Sequence, residues 1–219
     1  MAIEIPLFPL NTVLFPGMEL PLHIFEPRYR LMISECSKRE KPFGVVLVRP
    51  ESEPLQEEPY PTGTMAEIEA VDRLPDGCLN IITRGTQRFR ILSQHRRRPY
   101  LSGMVETFAD DAEPLQSLAL HAKQARELFK SYLEILLEVV GKADIQIILP
   151  AQPEELSHFI AYFLDVREEQ KQHFLELTST QQRLQEEISM LRKEVPFMRQ
   201  VLIMSNRLSE SKSDRSMLN

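Results

Sequence analysis

The residue types that carry hydrolytic or phosphoryl chemistry are present in this chain, but not at the spacings such chemistry needs. A phosphate-cradling loop requires glycine amides followed by a lysine, as in GxxxxGK[ST]. The only Gly-Lys pair, Gly141-Lys142, is followed by Ala143 and has Leu136 where the first glycine should stand. Neither a GxSxG nucleophile elbow nor an HExxH zinc motif occurs, and the five histidines are scattered. A Ser/Lys or Ser/His pair assembled from distant positions would leave no local signature. Glu57-Glu58, Glu67 with Glu69, and Glu168-Glu169 could do acid–base work only if burial split their pKa values, and solvated loop, strand and helix faces account for them better. His158, beside Phe159-Ile160, reads as a helix-packing histidine without a companion ligand at useful spacing. Cys36 and Cys78 lie far apart with no CxxC, which suggests neither a zinc site nor a disulfide framework and fits a reduced, cytoplasmic setting. No catalytic residue, metal or cofactor is expected.

Charge offers a second kind of chemistry. Between Gly77 and Val105 stand six arginines, Arg84, Arg88, Arg90, Arg96, Arg97 and Arg98, with no aspartate or glutamate among them. Such a stripe could grip phosphate or an acidic tail. The net charge of −6 weighs against wholesale binding to nucleic acid or anionic membrane, and no aromatic-interleaved motif accompanies the arginines. Arg88 and Arg90 could instead pair with Glu67 and Glu69 across neighbouring strands.

The elements that must position these residues divide by periodicity. With 42% apolar and 26% charged residues, the 219-residue chain lies well inside the folding regime. No apolar run approaches the roughly 18 residues of a membrane-spanning helix, and the proline-broken amino terminus is no signal peptide. Prolines crowd the first 114 residues and vanish from 115 to 149, and all glycines but Gly141 precede position 104. Punctuation this dense marks turns between short strands. Ile3, Ile5 and Leu7 alternate with polar or proline positions, as do Leu20, Leu22 and Ile24, with Phe15-Pro16-Gly17 turning between them. Val45-Val46-Leu47-Val48 suits a central strand buried on both faces. One helix starts near Pro27 and gathers Tyr29, Met32, Ile33 and Cys36 on one face. Residues 50–61, with four prolines and four glutamates, read as an exposed loop. A hairpin runs from Thr64 to Leu74, turns at Pro75-Asp76-Gly77 and returns from Cys78 to Arg84. Gly85 then breaks the chain before Arg88–Ile91, and Tyr100 to Phe108 supplies a last strand.

The second half changes period. Leu118, Ala122, Ala125, Phe129, Tyr132, Leu133 and Leu136 form one face of a long helix ending at Gly141. Pro153 opens a second helix, a third covers about Val166 to Leu177, and a fourth from near Ser179 carries Leu184, Ile188, Leu191 and Val195 until Pro196 kinks or stops it. That last stripe packs within the chain or mediates self-association. The boundaries expected are a β domain with one inserted helix at 1–112, a helical domain at 113–204 and a disordered tail at 205–219.

The segment IPLFPLNTVLFPGMELPLHIFEPRYRLMI, residues 5–33, resembles the opening of the Lon protease amino-terminal domain family in its stand-alone form, on Pro6, Pro9, Leu10, Phe15-Pro16, Pro21-Leu22, Phe25, Glu26 and Arg28-Tyr29. GTMAEIEAVDRLPDGCLNIITRGTQRFRI, residues 63–91, resembles that family's second signature. The resemblance, over roughly residues 3 to 200, implies an α+β fold, a PUA-like β pseudobarrel followed by an α-helical bundle. It implies recognition of protein substrates or of a protease complex rather than cleavage, since the chain ends before the ATPase and Ser/Lys peptidase of full Lon proteases.

On this reading the turn at Phe15, Pro16 and Met18, with Glu26, Arg28 and Tyr29 at the helix start, is the candidate surface for exposed apolar segments of unfolded or client proteins, against the plainer reading of Phe15 and Tyr29 as core. PUA-like folds include RNA-binding members, so the arginines at 84–98 keep RNA or an acidic partner as the alternative, beside a structural or homo-oligomerisation role for the last helix.

Overall fold

In the computed structural model the described residues are 2–50, 58–142, 145 and 147–216, with side chains described to 204. They form two compact units, Met1–Asp111 with His158–Thr178 and Ala112–Ser157 with Ser179–Asn219. No helix among the described residues is long and apolar enough to cross a membrane.

The first unit contains strands β1 (Ile3–Leu10), β2 (Glu19–Ile24), β3 (Phe43–Val48), β4 (Pro59–Arg73), β5 (Leu79–His95) and β6 (Ser102–Phe108), with helix α1 (Pro27–Arg39) between β2 and β3. The strand order is β2-β5-β4-β3-β1-β6, and an additional β5–β6 pairing closes five strands on themselves. β1 runs parallel to β3, with Leu7 opposite Gly44, and antiparallel to β6. The first part of β5 carries β2 on its other side, Leu20 opposite Thr83.

Alternation sends successive residues to different cores. Ile5, Leu7, Val46, Met65, Phe89 and Val105, drawn from every strand of the closed ring, form one buried cluster. Phe8, Val45, Ala66 and Ile81 join Tyr29, Met32, Ile33 and Cys36 of α1 in another. Val45 and Val46 thus face different clusters, which is why that strand is apolar throughout.

The hairpin turn is a type I turn closed by glycine: the Gly77 amide donates to Leu74 O at 3.0 Å, and Gly77 sits at φ +82°, a conformation most residues avoid. Gly85 behaves differently from the sequence expectation, because β5 passes through it unbroken. Its glycine serves close approach: a Cβ there would lie 2.4 Å from Phe15 O, and the Gly85 amide and carbonyl bond Met18 O and Gly17 N. Residues 51–57 of the acidic loop lie outside the described residues, and from Pro59 the chain is already β4.

The segment His158–Thr178 contains most of α3 (Pro153–Phe163) and all of α4 (Glu168–Glu176), and it folds with the strands because its polar groups bond them. Gln172 Nε2 donates to Thr62 O, the Tyr162 hydroxyl to Glu19 O, and the Val13 amide to Glu168 Oε2 at 2.9 Å. Helical periodicity assigned this stretch to the helical half; its hydrogen bonds assign it to the first unit.

In the second unit, α2 (Leu115–Val139) packs along α5 (Thr180–Ser216). Leu118, Ala122, Ala125, Phe129, Tyr132 and Leu133 are buried as spaced, and so are Leu184, Ile188, Leu191 and Val195, whereas Leu136 is only half-buried. Ser179 caps α5 by accepting from the Gln182 amide, and Glu113 accepts from the Ser179 hydroxyl and the Gln181 amide. Pro196 does not stop α5, which continues through it to Ser216, where a disordered tail was expected.

Candidate binding cleft

Parallel β1 and β3 end side by side, and β2 ends where the chain turns into α1, so three strand ends and a helix start converge. Between them lies a cleft of about 480 Å³, within the size range of ligand sites. Phe8, Leu10, Leu22 and Ile24 supply apolar wall, Tyr29 part of the floor, and Glu26, His23 and Arg49 the polar rim. Tyr29 is held between neighbours, its ring 4.2 Å from that of Phe8 and beneath the Arg28 guanidinium at 4.5 Å. Arg28 Nε in turn donates to Glu26 Oε2 at 2.8 Å. Pro27 starts the helix without a missing-donor penalty, fixing this trio at its first turn.

Phe25 is the exception to the burial of aromatic side chains here. It lies 62% exposed on the cleft wall, its ring stacked on His23, whose Nδ1 is 2.7 Å from Asn80 Oδ1. The ring thus leaves apolar surface uncovered beside the apolar wall of the cleft.

The six residues expected to bind clients therefore separate. Glu26 and Tyr29 line the cleft, with Arg28 bracing both. Phe15 is wholly buried against the His158 ring, 6.1 Å away, and Met18 packs on the apolar cluster beneath α1, so these two belong to the core because the turn they form is docked on Gly85. Pro16 is half-buried in that same turn and lines no part of the cleft. Phe25 and His23 were not singled out as binding residues, although a signal existed. In a strand whose inward positions are Leu20, Leu22 and Ile24, Phe25 continues the outward series Glu19, Pro21, His23, where an aromatic residue is out of phase.

The arginines do not form one stripe. Arg84 is paired with Glu19 and Glu69, bonding Glu69 at 2.5 Å. Arg88 is buried, donating to Asp110 and to the carbonyls of Leu175 and Leu177, and it lies over the Phe108 ring. Arg90, also over Phe108 at 4.2 Å, is exposed. Pairing of Arg88 and Arg90 with Glu67 and Glu69 does not occur, because the register sets Thr64 and Thr62 opposite these arginines and Glu67 opposite Arg84, which bonds Glu69. Only Arg96, Arg97 and Arg98 stay together, on the exposed connection to β6.

The carboxylate pairs are dispersed as well. Glu67 and Glu169 are exposed, and Glu168 is spent on the Val13 amide, while Glu57 lies outside the described residues. Among the described residues no group of three His, Cys, Asp or Glu side chains could hold a metal ion.

The fold is α+β, a closed mixed sheet elaborated with helices, and where β1, β2 and β3 end it carries a cleft with an apolar wall and a polar rim. The chain belongs to the family of the ATP-dependent protease La (Lon) substrate-binding domain, whose family model matches residues 4–193. It is 27% identical over 214 residues to the Lon protease of Anaeromyxobacter dehalogenans, covering 94% of this chain and 25% of that relative. A Lon protease of Parabacteroides distasonis is 37% identical over 113 residues, half of this chain and 14% of the relative. The chain thus spans about a quarter or less of these curated relatives. The crystal structure of a Lon N-terminal domain protein from Xanthomonas campestris superposes with a TM-score of 0.64 at 26% identity, covering 85% of this chain and 98% of that one. The N-terminal domain of a Mycobacterium avium complex Lon protease shares the fold, with a TM-score of 0.66 at 18% identity, over 88% of this chain and all of that one.

Proposed function

We propose that this chain is a non-catalytic recognition module, an adaptor in cytoplasmic protein quality control, that holds apolar segments of unfolded or client proteins in the cleft at the start of α1. The observation that carries this reading is the exposed Phe25 ring at the mouth of a cleft walled by Phe8, Leu10 and Leu22, in a family described as substrate-binding. An apolar client side chain entering the cleft covers that ring and displaces water from the wall, while the Glu26–Arg28 pair and His23 favour a partner with polar backbone on either side. Nothing in this binding requires a nucleophile.

The reading is tested by placing a photo-crosslinking amino acid at position 23 or, as a control, at position 97, and mixing the purified chain with a reduced, unfolded polypeptide. Crosslinks at position 23 that apolar peptides compete away support it. Equal crosslinking at both positions, or hydrolysis of ATP or peptide by the chain alone, contradicts it.

A further inference from the structure

At the other end of α1 a second concavity of about 290 Å³ opens between that helix, β1 and the connection into β6. Its floor is Ile5, Pro6, Cys36 and Tyr100, and its rim carries Arg39, Lys41 and Arg98. Arg98 is held in place: its Nη1 donates to the Tyr100 hydroxyl at 2.8 Å and to Glu35, while the Tyr100 hydroxyl donates to the same Glu35 carboxylate at 2.9 Å. Arg39 follows Glu35 by one helical turn, so the two share a face. Neither Arg39 nor Lys41 has an ion-pair partner among the described residues, and both are exposed at the rim. Burial pushes the Cys36 thiol on the floor up to about 11, with the Glu35 carboxylate adding to the rise and the Arg39 and Arg98 charges opposing it.

The bland explanation of a basic residue in this place, favourable interaction with a helix carboxyl end, serves Arg39 in the last turn of α1. It does not serve Lys41, beyond the helix, or Arg98, on another element. Three cations face two carboxylates in the pocket, Glu35 and Glu4, the latter also within 3.1 Å of His95 Nε2, which leaves one positive charge. A polyphosphate backbone laid here would have to pass both carboxylates, whereas a single carboxylate matches the surplus, and the apolar floor accepts the side chain beside it.

We propose that this cradle binds a carboxylate presented by a polypeptide, either a chain terminus or an aspartate or glutamate side chain, between Arg39, Lys41 and Arg98 with an apolar neighbour on the floor. The site stands apart from the cleft and does not rest on the reading of Phe25.

Three fluorescent peptides of alternating glycine and valine test it by anisotropy on the full chain: one with a free terminal carboxylate, its terminal amide, and the amide with one internal aspartate. The free acid, the aspartate peptide or both should bind with an affinity that falls as salt rises, and the plain amide should bind at least about tenfold more weakly. The exposed substitutions Arg39→Gln and Lys41→Gln together should remove that preference, and Phe25→Ala should leave it intact. Equal binding of all three peptides, an unchanged preference in the double variant, or tighter binding of an oligonucleotide of equal length would overturn the proposal.

Discussion

Arg88→Met would remove the guanidinium that joins the barrel to the segment following α4. Its side chain is 2% exposed and that of Asp110 4%, so neither group can turn to water for compensation. Arg88 Nη1 donates to Leu177 O at 2.6 Å and to Leu175 O at 3.0 Å, while Nη2 serves Asp110, and the plane covers the Phe108 ring. Loss of one partner of a buried ion pair costs about 3–5 kcal/mol, because the remaining charge stays desolvated. With a urea m-value near 2 kcal/mol/M, the unfolding midpoint should fall by about 1.5–2.5 M. The chain has no tryptophan, so the transition is followed by circular dichroism. Asp110→Asn on the Arg88→Met background should restore part of the loss, since the stranded charge is then gone, and the double variant should be less damaging than the sum of the singles by about 1 kcal/mol or more. A single-variant cost below about 1 kcal/mol, or simple additivity in the double, would refute the assignment of Arg88 as a buried clasp.

Two further outcomes follow from packing and protonation. Gly85→Ala should cost about 1–3 kcal/mol, seen as a lowered melting temperature, because its methyl group would meet the Phe15 carbonyl and push the Phe15–Met18 turn off β5; an unchanged melt would contradict that docking. In the helical unit Glu187 is wholly buried beside α3, its Oε1 accepting from the Ser157 hydroxyl at 3.1 Å, and Arg183 Nε donates to the same hydroxyl. Burial pushes its carboxyl well above the ordinary 4.5, the Arg183 charge opposing only in part. A raised folded-state pKa means that the folded protein keeps a proton the unfolded chain has released. The stability this confers is complete below about 4.5 and is lost as pH climbs to the folded value, at no more than about 1.4 kcal/mol per pH unit. Glu187→Gln should therefore flatten the pH dependence and match or exceed the wild-type stability at neutral pH, whereas greater stability loss in the variant at neutral pH than at acid pH would show a stabilising carboxylate instead.

Much of the fold was legible wherever an element announces itself within a turn or two. The buried faces of α1, α2 and α5 and the Pro75-Asp76-Gly77 hairpin depend on spacing that a short window contains. What escaped depends on partners far away in the chain. Gly85 reads locally as a breaker and is instead a contact point for residue 15; Arg88 reads as one of a row of surface arginines and is instead buried by residues 110, 175 and 177. Phe15 carries the family's motif and the look of a binding residue, yet the same turn that presents it also docks it. The site was half legible for the same reason: Glu26 and Tyr29 sit at a helix start that sequence can locate, whereas the cleft exists only because β1 and β3 run parallel and end together.

Client recognition at the cleft depends most directly on Phe25. Because its ring is exposed, Phe25→Ala should leave stability within about 0.5 kcal/mol of the wild type. Titration of the wild-type and variant chains into a labelled, permanently unfolded polypeptide should show affinity reduced by about tenfold or more in the variant, the value of one aromatic contact in an apolar cleft. Equal affinity of the two chains, with both folded, would contradict client recognition at this cleft.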